Sequence, residues 1–138
     1  MTHRVFVYGT LKRGGSNHSL LESSSEFLGE ALTVPTYKMV ATSFPVIMPD
    51  ATGKPVAGEI YAVDDATLAR LDQLEREGHS YDRVAIAATA TLANGEPSTT
   101  RAFIYVGRAD RFARMFASGP RYEQVNERGE LDWRASGP

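Results

Sequence analysis

Cysteine is absent from the sequence. Its absence excludes a disulfide-stabilised scaffold, a catalytic thiolate and a zinc site built on cysteine. The histidines are His3, His18 and His79, and because they are scattered, with no HExxH pattern, they do not predict a metal site either. A chain without cysteine fits a reducing compartment, so the expected location is the cytoplasm.

The sequence also lacks an excess of charge and any long hydrophobic run. Lys and Arg number 15 against 17 Asp and Glu, which gives a formal net charge of −2, and no dense Lys/Arg run occurs. Binding to a phosphate backbone is therefore not expected. No stretch approaches the ~20 apolar residues of a membrane span, and the apolar run near the N-terminus is too short for a signal peptide. The sequence predicts a soluble, unprocessed protein with neither a nucleic-acid nor a membrane partner.

What the sequence does contain is enough apolar material for one core. Of its 138 residues, 42% are hydrophobic and 9% are aromatic. A chain of this length can bury about two thirds of the surface that it exposes when unfolded. Because no internal repeat divides it, we predict a single domain over residues 1–138, with a polar C-terminal tail from about residue 119. Trp133, in that tail, packs either on the protein itself or on a partner.

Short strand-like runs outnumber helical ones. Prolines at 35, 45 and 49 confine three of these runs to sheet edges or bulges, and the pair Asn94-Gly95 predicts a hairpin. Several strands beside one solid helix favour an α+β fold with a curled sheet or small barrel. The predicted strands span residues 4–8, 27–34, 37–40, 46–48, 56–63, 81–92 and 99–106, with short helical segments at 20–21 and 110–116.

The clearest local signal is a helix that begins after Asp64 and continues to about Glu77, where Gly78 stops it. Asp64 is a suitable N-cap, and Val63 and Leu68 have the spacing of a hydrophobic staple. Glycine is the residue that most often follows the end of a helix, and Gly78 stands at this position.

Glu75 interrupts the apolar face of this helix. On a helical wheel it falls between Leu68 and Leu71, in a stripe that Leu74 completes. Burial of a carboxyl group raises its pKa toward the range useful to a general base, so Glu75 is a candidate catalytic residue. Two alternatives remain open: fraying of the last turn would expose Glu75 to solvent, and a shifted helix end would exchange its role with that of Glu77.

A glycine-rich loop, residues 9–16, follows the first predicted strand. Glycine lets the backbone approach a ligand closely, and successive free N–H groups can hold an anion or a developing oxyanion. The loop nearly matches the phosphate-binding pattern Gly-x4-Gly-Lys-Ser/Thr, but Gly15 stands where that pattern needs lysine. A substrate loop is favoured, with an ordinary turn and a nucleotide site that uses Lys12 and Arg13 as the alternatives.

Other candidate residues have both a functional and a structural interpretation. Tyr81 lines a pocket or packs at the start of a strand, and the structural interpretation of Arg83 is that it pairs with an acid on the helix. Tyr122 lies at a pocket rim or belongs to the tail. The serines have no Gly-x-Ser-x-Gly context, which disfavours a serine hydrolase.

Three motifs follow one another between residue 5 and about residue 106. They are Val5–Gly14 with Asn17 and His18 after it, Gly58–Asp64, and Leu71–Glu75 with Tyr81 and Arg83 downstream. Together these motifs resemble the γ-glutamylcyclotransferase-like family, especially its γ-glutamylamine cyclotransferase branch. The resemblance does not extend well into the C-terminal tail.

The resemblance implies a small mixed β-barrel with flanking α-helices. It further implies a substrate pocket formed by the loop of Tyr8, Gly9, Thr10 and Leu11, with Glu75 as the catalytic acid/base. In the implied reaction the α-amine of a γ-glutamyl group attacks its own side-chain carbonyl, which releases an amine and 5-oxoproline without any cofactor. The alternative is a non-catalytic small-ligand or protein-interaction domain that uses the same pocket. The resemblance leaves the leaving amine and the oligomeric state open.

Overall fold

The strands and helices are described on a computed structural model of residues 2–22, 25–41, 44–91, 95–118 and 125–133. The helices are α1 (Ser19–Glu22), α2 (Asp65–Glu75) and α3 (Ala109–Ser118). The strands are β1 (Thr2–Val7), β2 (Ser25–Leu32), β3 (Tyr37–Ala41), β4 (Pro45–Pro49), β5 (Ala57–Asp64), β6 (Tyr81–Thr91) and β7 (Pro97–Gly107).

The strands β1-β5-β2-β6-β7 close into a barrel in that order, and β3 and β4 form a separate two-stranded sheet. The barrel is mixed, because β1 pairs parallel to β7 while the other neighbouring strands are antiparallel. The predicted α+β class and the small mixed β-barrel with flanking helices are therefore confirmed.

Turn chemistry explains the ends of several strands. The predicted hairpin is present, since β6 and β7 pair along their whole length from Tyr81 opposite Gly107 to Thr91 opposite Pro97. Gly95 has a positive φ of 85°, whereas Asn94 lies outside the described residues. Prolines open and close β4, where the missing N–H groups interrupt no continuing ladder.

Two apolar clusters hold the fold together. Side chains alternate across β1, so that Phe6 joins one cluster while Val5 and Val7 join the other. The first cluster draws on all five barrel strands and fills the barrel, whereas the second packs the outer face of the barrel against the helices. Leu71, which is fully buried, anchors α2 in this second cluster.

The helix α2 begins as predicted and ends two residues early. The Asp64 side chain accepts a hydrogen bond of 2.7 Å from the Thr67 N–H, as an N-cap does. At the other end Arg76 adopts the left-handed conformation with φ 52°, and the Glu77 N–H donates to the Asp72 carbonyl. This pattern is a Schellman motif. The predicted end at Glu77 is wrong because the chain turns at Arg76, before Gly78 is reached.

The segment 125–133 packs along the barrel. Leu131 donates its N–H to the Pro55 carbonyl and accepts from the Ala57 N–H, each at 2.8 Å. Leu131 and Trp133 are buried in the barrel cluster, so the tryptophan packs on the protein itself. The other parts of the predicted polar tail, residues 119–124 with Tyr122 among them and residues 134–138, lie outside the described residues. Among the described residues, no helix is both long and apolar enough to cross a membrane.

Candidate active site

A cavity of about 440 Å³ opens where β1 ends, between the glycine-rich loop, the end of α2 and the start of α3. All five predicted site residues line this one cavity: Tyr8, Gly9, Thr10, Leu11 and Glu75. The loop and the helix end are separated by more than sixty positions in the sequence, and pairing of β1 with β5 brings them together because α2 follows β5 directly.

The loop is held in one shape by its own hydrogen bonds. The Lys12 N–H donates to the Gly9 carbonyl at 3.0 Å, and the Asn17 N–H donates to the Thr10 carbonyl at 2.9 Å. The Asn17 amide also donates to the Thr10 hydroxyl. Within the described part of the chain, the N–H groups of Gly9, Thr10 and Leu11 donate to no protein acceptor. Three successive donors are thus available to a ligand that carries a negative charge.

Glu75 lies at the last position of α2 and faces the same cavity. Burial raises the pKa of its carboxyl group from 4.5 to about 7. Its carboxyl group has no hydrogen bond or ion pair with any other described residue. Such a carboxyl group takes up and releases protons near neutral pH, which is what a general acid/base requires.

Leu74 does not follow the helical wheel on which the sequence prediction relied, and Glu77 does not exchange its role with Glu75. Glu77 lies beyond the helix, is exposed and accepts a hydrogen bond of 3.3 Å from the Arg83 N–H, so it does not compete with Glu75 for the cavity. Leu74 was expected on the buried stripe, but 38% of it is exposed. The prediction for Leu74 is wrong because the open cavity, rather than packed protein, lies over the last turn.

Three tyrosines line the cavity, Tyr8, Tyr81 and Tyr105, and the hydroxyl groups of the first two donate to backbone carbonyls. Tyr8 donates to the Tyr105 carbonyl at 2.6 Å, and Tyr81 donates to the Pro45 carbonyl at 3.4 Å. Burial raises the pKa of Tyr8 well above its ordinary value, and the nearby Tyr81 and Glu75 add to the rise. Burial raises the pKa of Tyr81 as well. The hydroxyl groups of Tyr8 and Tyr81 therefore stay protonated near neutral pH. Glu75, which lies beside them, is the group that changes its charge in this pH range.

A second acid of α2 is committed to structure. Asp72 accepts hydrogen bonds from the Tyr105 hydroxyl at 2.7 Å and from Arg83 Nη1 at 2.6 Å. Arg83 thus pairs with an acid on the helix, which is the structural role that the sequence suggested for it. Tyr81 both lines the cavity and packs in the outer apolar cluster, so both interpretations of it apply. The pairing fixes α2 against β6 and β7 just below Glu75.

Glu59 supports the glycine-rich loop from below, and sequence reasoning missed it. This buried carboxylate of β5 accepts from the Arg13 N–H at 3.0 Å and from the Tyr61 hydroxyl at 2.9 Å. An acid inside a strand that is apolar on both sides is costly unless it is hydrogen-bonded, and that is the signal that could have identified it. Glu59 connects the loop to the barrel wall.

We expect Glu59→Ala to lower kcat/KM of the catalysed reaction roughly tenfold, because the loop loses one to two hydrogen bonds worth about 1–2 kcal/mol. We expect KM to change more than kcat, because the loop offers N–H groups to a ligand, whereas the carboxyl group that titrates near neutral pH lies on α2. Steady-state kinetics beside Glu30→Ala, an exposed glutamate on the neighbouring strand β2, would measure the effect. Equal activity of the Glu59→Ala and Glu30→Ala proteins would contradict a positioning role.

The contacts of Lys12 and Arg13 do not support the alternative of a nucleotide site. Lys12 Nζ donates to the Trp133 carbonyl and to Asp132, and Arg13 is bound to Glu59. Both side chains are therefore engaged in contacts with the barrel and the C-terminal segment. These contacts disfavour a nucleotide site that depends on the two cations.

The opposite wall of the cavity comes from segments with no motif. Phe44 and Pro45 contribute from the start of β4, while Arg111 and Phe112 contribute from α3. Gly9 passes so close to this wall that a Cβ atom there would lie 2.8 Å from the Pro45 ring. No local pattern could have predicted these contacts, because only the packing of β4 and α3 against the barrel creates them.

The chain is similar in sequence to a known enzyme family. Residues 5–131 match the family model described as gamma-glutamyl cyclotransferase, AIG2-like. Gamma-glutamylaminecyclotransferase B of Danio rerio is 34% identical over 134 residues, covering 91% of this chain and 69% of the relative. Gamma-glutamylaminecyclotransferase of Rattus norvegicus is 34% identical over 116 residues, covering 76% of this chain and 77% of the relative.

Solved structures show the same fold. The crystal structure of an AIG2-like protein from Mus musculus superimposes with a TM-score of 0.72 at 26% identity and covers 99% of each chain. An uncharacterised protein from Pyrococcus horikoshii superimposes with a TM-score of 0.57 at 27% identity over 76% of this chain and 77% of that one. The chain belongs to the gamma-glutamyl cyclotransferase, AIG2-like family and is an enzyme of the γ-glutamylcyclotransferase type.

Proposed function

We propose that the protein converts a γ-glutamylamine or γ-glutamyl peptide into 5-oxoproline and a free amine, with Glu75 as the catalytic acid/base. The observation that carries the proposal is a carboxyl group with a pKa of about 7 in a cavity that also holds three N–H groups. Neither the carboxyl group nor the N–H groups have a hydrogen-bond partner among the described residues. Two relatives are named gamma-glutamylaminecyclotransferases, which supports the same substrate end.

The substrate supplies its own nucleophile in this reaction. Glu75 takes a proton from the α-ammonium group, and the resulting amine attacks the side-chain carbonyl carbon to form the new C–N bond of a five-membered ring. As the tetrahedral carbon collapses, the bond to the leaving nitrogen breaks. That nitrogen gains two protons in all and leaves as an ammonium ion, while the ring nitrogen keeps one of the original three. Because the substrate supplies the nucleophile, the protein has only to position the γ-glutamyl group and to transfer protons through Glu75.

The loop completes the chemistry by binding negative charge. The N–H groups of Gly9, Thr10 and Leu11 are placed to hold the glutamyl carboxylate or the oxyanion that forms on the attacked carbonyl. Either use keeps the γ-glutamyl group folded, so that its amine and side-chain carbonyl lie within reach of each other. The preorganised loop lowers the entropy that ring closure would otherwise cost.

Mass-spectrometric detection of 5-oxoproline from a panel of γ-glutamylamines and γ-glutamyl peptides tests the proposal. We expect the protein to release 5-oxoproline and an equal amount of free amine from at least one class of the panel. Heat-denatured protein controls for spontaneous cyclisation. Ligand-induced thermal stabilisation of folded protein without any 5-oxoproline would contradict the proposal and favour a binding domain.

A further inference from the structure

The mouth of the cavity has a composition of its own. Its exposed described residues are two apolar side chains, Phe44 at 40% and Leu74 at 38% exposed, two arginines, Arg76 and Arg111, and one serine, Ser16. Glu75 is the only acid among the described residues that line the cavity, and it is partly buried. The entrance therefore combines apolar and cationic side chains with one hydroxyl group.

The two guanidinium groups at this mouth have no carboxylate partner in the part of the chain that the structure describes. Among the described residues, neither Arg76 nor Arg111 forms an ion pair with a carboxylate. The other lysines and arginines around the site are committed: Arg83 is bound to Asp72, and Lys12 to the C-terminal segment. An uncommitted pair of cations at a cavity entrance is available to an anionic ligand.

A side-chain contact holds Arg111 at the entrance, and a backbone turn fixes the position of Arg76 there. The Arg111 guanidinium lies 5.3 Å from the centre of the Phe112 ring, and Phe112 is itself a buried part of the cavity wall. The charge of Arg111 also reaches the interior, because it partly offsets the rise in the pKa of Tyr81 that burial and Glu75 cause. Arg76 follows Glu75 directly and is held by the left-handed turn that ends α2.

We propose that Arg111 and Arg76 bind a carboxylate on the leaving amine, so that the preferred substrates are γ-glutamyl conjugates of amino acids or peptides rather than of polyamines. This inference rests on the proposed function. A flexible aliphatic segment of the leaving group would lie against Phe44 and Leu74 on its way to the guanidinium groups. A second ammonium group at the same place would meet two positive charges, and among the described lining residues Glu75 is the only acid that could offset them.

The glutamyl carboxylate is the other anion that the arginines could bind, and the two cases give different results. The loop N–H groups already offer a site for the glutamyl end or its oxyanion. If the arginines bind the glutamyl end instead, their removal slows every γ-glutamyl substrate by the same factor. If they bind the leaving group, removal slows only those substrates whose leaving amine carries a carboxylate.

Three isosteric substrates separate these cases: γ-glutamyl-β-alanine, γ-glutamylpropylamine and γ-glutamylethylenediamine, which end in a carboxylate, a methyl and an ammonium group. A second set with one more methylene allows for reach. In at least one set we expect kcat/KM for the carboxylate member to exceed that for the methyl member about fivefold to tenfold, with the ammonium member lowest. This range corresponds to one charge-assisted hydrogen bond at a partly exposed site.

Arg111→Gln should lower the ratio of kcat/KM for the carboxylate member to kcat/KM for the methyl member at least threefold. The double variant with Arg76→Gln should lower this ratio to about 1. Arg114→Gln is the matched control, because Arg114 lies on the same helix but does not line the cavity. Its ratio should equal that of the unmodified protein. High salt should also reduce the ratio, because salt weakens the attraction between solvent-exposed charges. The Debye length is about 10 Å at 0.1 M salt and shortens as more salt is added.

The outcomes distinguish this inference from the proposed function. Equal kcat/KM for the three members of both sets, or a higher value for the ammonium member, would overturn the inference and leave the proposed function in place. An unchanged ratio in the double variant would also overturn it, because the arginines would then act on the glutamyl end or not at all. Failure of all members to release 5-oxoproline would overturn the proposed function and this inference with it.

Discussion

Glu75→Gln should reduce the release of 5-oxoproline by roughly 10²- to 10⁴-fold, the range that general acid–base catalysis contributes. Glutamine keeps the shape and hydrogen-bonding length of the side chain, but it cannot take a proton from the substrate ammonium group or return one to the leaving nitrogen. In the proposed reaction the nucleophile belongs to the substrate, so we expect no other protein group to replace this function. The loss should appear mainly in kcat, because the donors of the loop remain.

The matched control for this prediction is Glu77→Gln. Glu77 is two positions away, carries the same charge and accepts from the Arg83 N–H outside the cavity. Its replacement should leave turnover within about twofold, since exposed substitutions away from such contacts change little. Thermal unfolding of both variants checks that the fold persists. A fully active Glu75→Gln protein would contradict the assignment of Glu75, and loss of activity only in Glu77→Gln would transfer the role to that residue.

A second expected result is that ionisation of Glu75 makes its own contribution to the dependence of the free energy of unfolding on pH. Burial raises the pKa of this carboxyl group to about 7 from 4.5. Between these values the unfolded chain has lost the proton that the folded protein still binds, so the free energy of unfolding falls as the pH rises. A shift of this size corresponds to about 3 kcal/mol of destabilisation that is complete above pH 7 and absent below pH 4.5.

Urea unfolding at pH 5 and pH 8, carried out on the wild-type protein and on Glu75→Gln, measures this effect. Glutamine does not titrate, so the wild-type protein should lose about 2–3 kcal/mol more than the variant between the two pH values, while contributions from all other groups cancel. The same ionisation prepares Glu75 to accept a proton, and kcat/KM should rise through the same pH range. Parallel stability curves for the two proteins would show that Glu75 is not desolvated.

Local patterns were sufficient where neighbouring residues decide the structure. The hairpin of β6 and β7, the N-cap at Asp64 and the buried positions of Leu68 and Leu71 follow from turn chemistry and from the periodicity of a few consecutive residues. The end of α2 was predicted less well, because glycine is the usual residue for a left-handed turn and here Arg76 adopts it. A sequence pattern cannot show which of two nearby residues will make such a turn.

For the candidate site as well, local patterns identified individual residues but not their arrangement in space. The sequence singled out Glu75 as an acid on an apolar helix face and the Tyr8 to Leu11 segment as a loop with free donors. The assignment of these residues to catalysis and substrate binding stays a prediction, as do the single domain over residues 1–138 and the cytoplasmic location. That the loop and the acid share one cavity was outside the reach of any local pattern, because it depends on the pairing of β1 with β5 and on α2 following β5.

The sequence by itself determined the elements that form, the α+β class, the helix that carries Glu75 and the family to which the chain belongs, because each depends on short-range spacing or on motif order. Only the tertiary structure decided how much water reaches Glu75, which cations are committed to the protein and which are left at the cavity entrance. These properties depend on which distant segments pack together: β4 and α3 form the far wall, and residues 125–133 draw Lys12 away from the loop. Desolvation and ion pairing are effects of that packing, so the pKa of Glu75 and the free arginines become visible only once the chain is folded.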